Sequence, residues 1–102
     1  MRIDGAARLA MVCGVNLTPQ SRLREVMLEV LVQMGGSGSR MAVLKRMAVA
    51  LDGELTTDDR ESPKSRPHEE KWQNRASYER AAMVREGVLE KRSDGVWSIA
   101  GR

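Results

Sequence analysis

The sequence contains no phenylalanine, a single cysteine and a single histidine, and these absences exclude several classes of protein. Cys13 has no second cysteine for an internal disulfide, and with His68 as the sole histidine the chain lacks a ligand set for zinc. No apolar run approaches the roughly 20 residues that cross a bilayer. We therefore expect a cytoplasmic domain that holds no metal, uses no cofactor and has no membrane partner.

Aromatic residues are also scarce, since the chain has only Trp72, Tyr78 and Trp97. A core must then be built from leucine, valine, alanine and the seven methionines, which is more typical of helices packed on one another than of a large sheet sandwich. A chain of 102 residues has material for one small hydrophobic core. The composition predicts a single, mainly α-helical domain with room for a binding surface.

The net charge of +3 is modest but unevenly distributed. Residues 35–51 and residues 71–102 each carry a net charge of +3, whereas residues 52–70 between them carry −4. Clustered positive charge attracts phosphate even when the total charge is small. The two basic segments therefore favour a basic face for a polyanion, with scattered solvated charge as the alternative interpretation.

Three helices are predicted from apolar residues that recur at three- and four-residue spacing. The first begins at Thr18, which is expected to cap it, and ends before Gly35. The second begins after its expected cap Ser39 and ends at Gly53. The predicted inward residues of the second helix are Met41, Leu44, Met47, Ala48 and Leu51.

The rest of the chain predicts a loop, a third helix and a hairpin. Residues 53–70 are acidic and interrupted by proline, which indicates a long connecting loop. The third helix is expected from about residue 70 to residue 86, ended by Gly87. The segments LEKRS and VWSI flank Asp94-Gly95, a strong signal for a two-residue hairpin turn. The predicted inward residues of the third helix are Trp72, Ala76, Ala82 and Met83.

This order of elements is that of a winged helix-turn-helix domain, with three helices and a C-terminal two-stranded wing. We assign residues 18–102 to this mainly α (α+β) domain, and residues 1–17, with their apolar patch Leu9–Val15, to an arm or an extra helix. Such a domain offers DNA a polar helix for the major groove and a basic hairpin for flanking phosphates or the minor groove. Lys91 and Arg92, beside the hairpin tip, fit the second role.

The segments VLVQMGGSGSRMAVLKRMA and KWQNRASYERAAMVREGVLEKRSDGVWSIAGR carry a family resemblance. Residues 20–102 resemble the amino-terminal winged-helix domain of Mrr-type restriction endonucleases. The resemblance implies a non-catalytic module that binds double-stranded DNA, joined to a separate nuclease domain, in systems that often target methylated DNA. The DNA contacts that it implies in this sequence are Asn74, Arg75, Ser77 and Arg80 on the third helix, and Lys91 and Arg92 in the wing.

Side-chain chemistry divides the candidate residues by role. Arginine forms paired hydrogen bonds with guanine, and asparagine or glutamine forms them with adenine. The candidate base readers are Arg75 or Arg80 for guanine and Asn74 or Gln73 for adenine. The candidate phosphate contacts, which set affinity and salt dependence, are Arg40, Lys45, Lys71, Lys91 and Arg92. Tyr78 or Trp97 would supply the apolar niche that an N-methylated adenine requires.

Two other functions are weighed against DNA binding. The pattern DDR…EEK is similar to the acid-plus-lysine sites of nucleases, but its acids lie in a proline-broken segment and not on a rigid sheet, so we expect no catalytic residue. A winged helix can instead serve as a protein-contact or homodimerisation module without DNA binding. The methionine-rich stripes and the Leu9–Val15 patch favour that use. Steep salt dependence of DNA binding would separate the two classes.

Overall fold

The computed structural model describes residues 17–101, which form a mainly helical α+β domain as predicted. The predicted N-terminal arm or helix, with its Leu9–Val15 patch, lies outside the described residues apart from Leu17. No helix in this part of the chain is long and apolar enough to span a lipid bilayer. In chain order the elements are α1 (Gln20–Gln33), β1 (Ser37–Ser39), α2 (Arg40–Ala50), α3 (Thr57–Arg60), α4 (Lys71–Arg85) and β2 (Val96–Ser98).

Helix α1 forms because its apolar residues fall on one stripe, as predicted. The helix ends at Gly35 and Gly36, whose positive φ angles of 86° and 105° glycine adopts without steric cost. The predicted cap is wrong, because Pro19 occupies the capping position and the Thr18 hydroxyl donates to Asp59 on α3 instead. The buried stripe consists of Leu23, Val26, Met27, Val30 and Leu31.

Helix α2 has the predicted cap but not the whole predicted inward face. The Ser39 hydroxyl accepts a hydrogen bond from the Ala42 N–H at 3.2 Å. Met41, which is expected inside, is 74 % exposed. A helix turns about 100° per residue, so Met41 lies more than a quarter turn from the centre of the buried stripe. That stripe consists of Val43, Leu44, Met47 and Leu51.

The sheet joins two segments that are far apart in sequence. Strand β1 pairs with β2 in antiparallel register, with Gly38 opposite Trp97. The sequence does not predict this pairing. On the other side of β2 the predicted LEKRS strand is reduced to a single bridge between Leu89 and Ile99. The predicted two-stranded wing is therefore shorter than expected.

The loop before β2 differs from a two-residue turn. Gly95 has a positive φ of 80°, but Asp94 does not. The Asp94 carboxylate accepts the Val96 N–H at 3.2 Å and the Arg92 guanidinium at 2.6 and 3.1 Å. The Val96 N–H is thus bonded to a side chain and is not available for a backbone hydrogen bond across a longer hairpin. The Arg40 N–H donates to the Gly95 carbonyl at 3.1 Å, which fastens the loop to the start of α2.

The core lies where α1, α2 and α4 meet the sheet. Trp72 is its largest fully buried side chain, and the indole N–H donates to the Glu70 carboxylate at 2.8 Å. Buried leucine, valine and methionine from the three long helices surround it, together with Leu89 and Trp97 from the C-terminal segment. The scarcity of aromatic residues is thus matched by a core of mainly aliphatic and methionine side chains with two tryptophans, Trp72 and Trp97.

Helix α4 buries a charged residue that is not among the predicted inward residues. Ala76 and Met83 are buried as predicted, but Ala82 is only half-buried. Glu79 is 7 % exposed and pairs with the Arg24 guanidinium of α1. A buried carboxylate requires such a partner, so this ion pair allows one of the four inward positions of the helix to be acidic.

The acidic segment 53–70 contains helix α3 and a fully buried carboxylate, and so it is not wholly the connecting loop that we expected. Thr56 and Asp59 form a capping box at the start of α3. The Asp59 carboxylate also accepts the Thr18 N–H at 3.0 Å and the Thr18 hydroxyl at 2.7 Å. We refer to Thr18, Thr56 and Asp59 as the Asp59 cluster. It packs the acidic segment against the entrance to α1.

The surroundings of Asp59 keep its carboxyl ionised. Burial raises its pKa, but the hydrogen bonds from Thr56 and Thr18 lower it by more, so the pKa lies below the ordinary value. A pKa that is lower in the folded state stabilises the fold at pH values above the unfolded-state pKa of about 3.9. That contribution is lost as the pH falls through the folded-state pKa.

Replacing Asp59 is expected to destabilise the domain strongly. In Asp59→Ala the buried donors of Thr18 and Thr56 lose their acceptor, so the free energy of unfolding should fall by about 2–4 kcal/mol. Urea titration at neutral pH measures the loss. Asp58→Ala is the matched control: it removes a more exposed carboxylate from the same helix and should cost less than about 1 kcal/mol. Equal losses in the two variants would contradict this account.

The acid dependence of stability gives a second readout of the same group. The stability advantage of the wild-type chain over Asp59→Asn should be constant at neutral pH and should shrink as the pH falls below about 4, since protonation removes the carboxylate. Urea titrations of both proteins across this pH range measure the difference. An advantage that does not change with pH would show that the charge of Asp59 does not stabilise the fold.

Candidate nucleic-acid interface

Helix α4 has an outer face on the side away from the core. Its buried side is marked by Trp72, Ala76 and Met83. A helix turns about 100° per residue, which places a mostly polar set of residues on the opposite side. Arg85 is absent from the predicted contact residues. Its angular position, opposite the buried side of the helix, could have identified it as a residue of this face. The outer face of α4 consists of the exposed Tyr78 and Arg85 and the half-buried Asn74, Ser77 and Ala81.

Asn74 and Tyr78 lie one turn apart on this outer face, as neighbours on the helix surface. Tyr78 is 68 % exposed, whereas Trp97, the other candidate for an aromatic niche, is 4 % exposed. Within residues 17–101 neither the Asn74 amide nor the Tyr78 hydroxyl has a hydrogen-bond partner. Both side chains are therefore available for contact with another molecule.

Arg75, a predicted base reader, lies on the flank of α4 that faces the entrance to α1. Its guanidinium donates to the Thr18 carbonyl at 2.6 Å and lies 3.8 Å from the Asp59 carboxylate. The Gln20 side-chain amide donates to the Arg75 carbonyl at 2.9 Å. Arg75 thus joins the Asp59 cluster and ties the first turn of α1 to α4. Its contact with a base stays a prediction.

Two other predicted contact residues make local bonds in the first turn of α4. The Gln73 side-chain oxygen accepts the Glu70 N–H at 3.0 Å, which completes a capping box. The Lys71 ammonium lies 3.7 Å from the Glu61 carboxylate. This ion pair is exposed on both sides, so it contributes little and leaves Lys71 free to exchange partners.

Arg40, at the start of α2, joins the acidic segment to the outer face of α4. Its guanidinium donates to the Glu69 carboxylate at 2.7 Å and to the Ser77 hydroxyl at 3.1 and 3.2 Å. Glu69 is 7 % exposed, and Arg66 lies 3.8 Å from its other carboxylate oxygen. These contacts fix the end of the acidic segment and occupy the Ser77 hydroxyl as an acceptor.

An open groove of about 820 Å³ lies between α2 and the first turns of α4. Asn74 lines it from α4, and the exposed Met41 and Lys45 line it from α2. Arg66 and His68 contribute from the acidic segment. The sequence prediction placed Met41 on the inward face of α2. It did not place Arg66 and His68 beside α4, because a proline-broken segment does not show where it returns to the fold.

The other cations predicted to contact DNA differ in their burial and in whether they form ion pairs within the domain. Lys45 and Lys91 are exposed, and in the described part of the chain no acidic side chain pairs with either. Arg92 forms an exposed ion pair with Asp94 and holds the pKa of that carboxyl below its usual value. Arg80 is partly buried, and its Nε has no hydrogen-bond partner among residues 17–101. Lys45 and Lys91 are thus the cations most accessible to an anion.

The acids of the DDR…EEK pattern do not converge. The Asp59 carboxylate accepts from Thr18, and the Glu69 carboxylate accepts from Arg40. Among the described residues no three histidine, cysteine, aspartate or glutamate side chains are grouped so that they would hold a metal ion. The acidic segment therefore contributes to packing and to the wall of the groove.

Comparison with known protein families identifies a match that covers most of the chain. A family model described as the Mrr N-terminal domain matches residues 21–102, a range that runs from α1 through β2 and includes the outer face of α4. No curated protein and no solved structure matches the chain. The resemblance inferred from the sequence is confirmed by the family match.

Arg75→Ala is expected to lower the free energy of unfolding by about 1–2 kcal/mol, because the Thr18 carbonyl loses a charged donor and buried Asp59 loses a neighbouring cation. Arg85→Ala removes the same group from the outer face of α4 and should change the stability by less than about 0.5 kcal/mol. Parallel urea titrations of the two variants measure the difference. A wild-type stability for Arg75→Ala would show that Arg75 does not hold α1 to α4.

Proposed function

The chain belongs to the family of Mrr N-terminal domains, and from this membership we propose that it is a non-catalytic module that binds double-stranded DNA. In this proposal the domain is a winged helix-turn-helix, α4 enters the major groove, and the segment 88–99 serves as the wing. The module directs a separate nuclease domain within a restriction-type system.

The outer face of α4 is the observation that carries this proposal. The major groove admits one α-helix, and α4 is a 15-residue helix with a row of mostly polar side chains on the side away from the core. The buried side of α4 packs against α1, so the row is held on a rigid scaffold. A row of this kind suits base edges, which offer donors, acceptors and thymine methyl groups.

Cations beside α4 supply the proposed phosphate contacts. Arg40 and Lys45 line the groove between α2 and α4, and Lys91 and Arg92 lie in the loop before β2. Because the Gly95 carbonyl accepts the Arg40 N–H, the loop and the start of α2 form one connected surface. The ion pair of Arg92 is exposed, so a DNA phosphate can replace its carboxylate at little cost.

We also propose that the domain recognises methylated bases in DNA. The family resemblance implies systems that often target methylated DNA, and a base methyl group requires an apolar or aromatic contact. Tyr78 is exposed on the outer face of α4, whereas Trp97 is buried in the core. Tyr78 is therefore our candidate for the aromatic contact with a methyl group in the major groove.

A protein-contact function is the second candidate, and exposed apolar side chains favour it. Val32 in the last turn of α1 and Val49 in the last turn of α2 are 53 % and 77 % exposed. Self-association through such side chains would produce a homodimer. Neither residue belongs to the outer face of α4, so DNA binding and dimerisation can be tested separately.

Lys45→Ala should weaken binding to duplex DNA of any sequence and reduce its salt dependence. Loss of one phosphate contact lowers the slope of log Kobs against log salt by about 1 in magnitude. Fluorescence anisotropy with duplexes of about 20 base pairs at about 0.05 and 0.2 M salt measures both quantities. Arg46→Ala is the matched control, because it removes a neighbouring exposed cation that does not line the groove beside α4.

Two outcomes of this experiment would count against the proposal. Absence of saturable binding to any duplex at low salt would exclude the DNA-binding function. Concentration-dependent dimerisation in sedimentation velocity, abolished in Val49→Asp, would then favour the protein-contact function. Equal effects of Lys45→Ala and Arg46→Ala would show that the groove side of α2 does not face the phosphates.

A further inference from the structure

We propose that the domain reads bases through Asn74 and Tyr78, which together select an adenine next to a pyrimidine that carries a C5-methyl group. This inference rests on the proposed function, since the outer face of α4 must meet the major groove. It adds the base step that the domain prefers and the two residues that select it.

The polar neighbours of this pair on α4 are already engaged inside the domain. Arg75 donates to a backbone carbonyl before α1, and the Gln73 oxygen caps the first turn of α4. The Ser77 hydroxyl accepts two hydrogen bonds from Arg40. A bidentate contact between Gln73 and adenine would need the Gln73 oxygen that caps the helix. The Ser77 oxygen is likewise occupied as an acceptor, whereas Asn74 and Tyr78 lose no bond within the described chain.

The two remaining arginines of α4 are less suited to the same base pairs. Arg80 lies on a flank of the helix and is partly buried, with its Nε enclosed by the protein. Arg85 is seven residues beyond Tyr78 in the sequence, about 10 Å along the helix axis. At that distance Arg85 is suited to a backbone phosphate at the end of the interface.

The spacing of Asn74 and Tyr78 matches neighbouring base pairs. Residues four apart on a helix have Cβ atoms about 5–6 Å apart, and successive base pairs are separated by about 3.4 Å. The longer Tyr78 side chain can span the difference. The two side chains extend from one face of α4, so they reach one base step and not two separated positions.

The chemistry of each side chain selects one feature of that step. An asparagine amide forms two hydrogen bonds with the N7 acceptor and the N6 amino donor of adenine. A tyrosine ring offers an apolar face to a C5-methyl group, which thymine and 5-methylcytosine carry and uracil and cytosine lack. Ala81, three residues after Tyr78, adds a methyl group to the same side of the helix.

The first test is selection from a pool of random duplexes with the 102-residue chain. We expect enrichment of an adenine beside a thymine, and loss of the adenine preference in Asn74→Ala. The selected duplex is then modified at single groups. Replacement of that adenine by 7-deazaadenine removes the N7 acceptor, and replacement of the thymine by uracil removes the C5-methyl group.

Anisotropy titrations with these duplexes give the decisive comparison. The wild-type chain should bind the 7-deazaadenine duplex about tenfold more weakly than the unmodified duplex. For Asn74→Ala the two duplexes should differ in affinity by less than about twofold. The wild-type chain should bind the uracil duplex about threefold more weakly than the thymine duplex. Tyr78→Ala should bind these two duplexes equally well. Neither substitution removes a hydrogen bond within residues 17–101, so both variants are expected to fold, which thermal unfolding checks.

A final pair of duplexes carries 5-methylcytosine or cytosine in place of the thymine. Tighter binding of 5-methylcytosine supports the methyl contact, and equal binding of the two overturns it. Binding of the random pool without enrichment of any step, or equal losses in wild type and variants, would overturn the inference and leave the proposed function standing. Failure to bind the pool at low salt would overturn the proposed function and the inference together.

Discussion

A single buried carboxylate, Asp59, fixes the geometry on which the outer face of α4 depends. Its oxygens accept from Thr18 at the entrance to α1 and from Thr56 at the start of α3, and the Arg75 guanidinium approaches from α4. A fully buried carboxylate stays ionised only where hydrogen-bond donors and cations compensate for the loss of its hydrating water. Rotation of α4 about its axis would separate the Arg75 guanidinium from Asp59 and from the Thr18 carbonyl. These contacts therefore help to hold the outer face of α4 in one orientation.

The polar side chains of α4 fall into two groups: those bonded to other elements of the domain, and those left for contact with another molecule. Arg75 supports the helix from inside, and Ser77 is bonded by Arg40. Asn74 and Tyr78 remain on the outer face without internal partners in the described residues. Base recognition requires side chains presented on a rigid element, and the internal bonds provide that rigidity. Position on the helix, more than residue type, therefore decides which polar residues of α4 are available for the proposed contact with DNA.

The sequence predicted the elements whose signals are local. The apolar spacing of α1, the Ser39 cap of α2 and the positive φ of Gly87 after α4 were found from neighbouring residues alone. It did not predict the contacts of Asp59, because Thr18 lies 41 residues away and acidic composition is typical of loops. Residue type also could not distinguish Arg75, which is used internally, from exposed cations such as Lys45. The pairing of β1 with β2 was missed because three residues of SGS carry no alternating pattern.

The most direct test of the central claim is an NMR titration of the ¹⁵N-labelled chain with a short DNA duplex. The account predicts that amide signals of the outer face of α4 and of Lys91 shift on binding, while those of Val32 and Val49 do not. This result would locate the interface on the helix that the Asp59 cluster orients. Shifts confined to the surface around Val32 and Val49, or no shifts at low salt, would contradict the account and direct attention to protein contact.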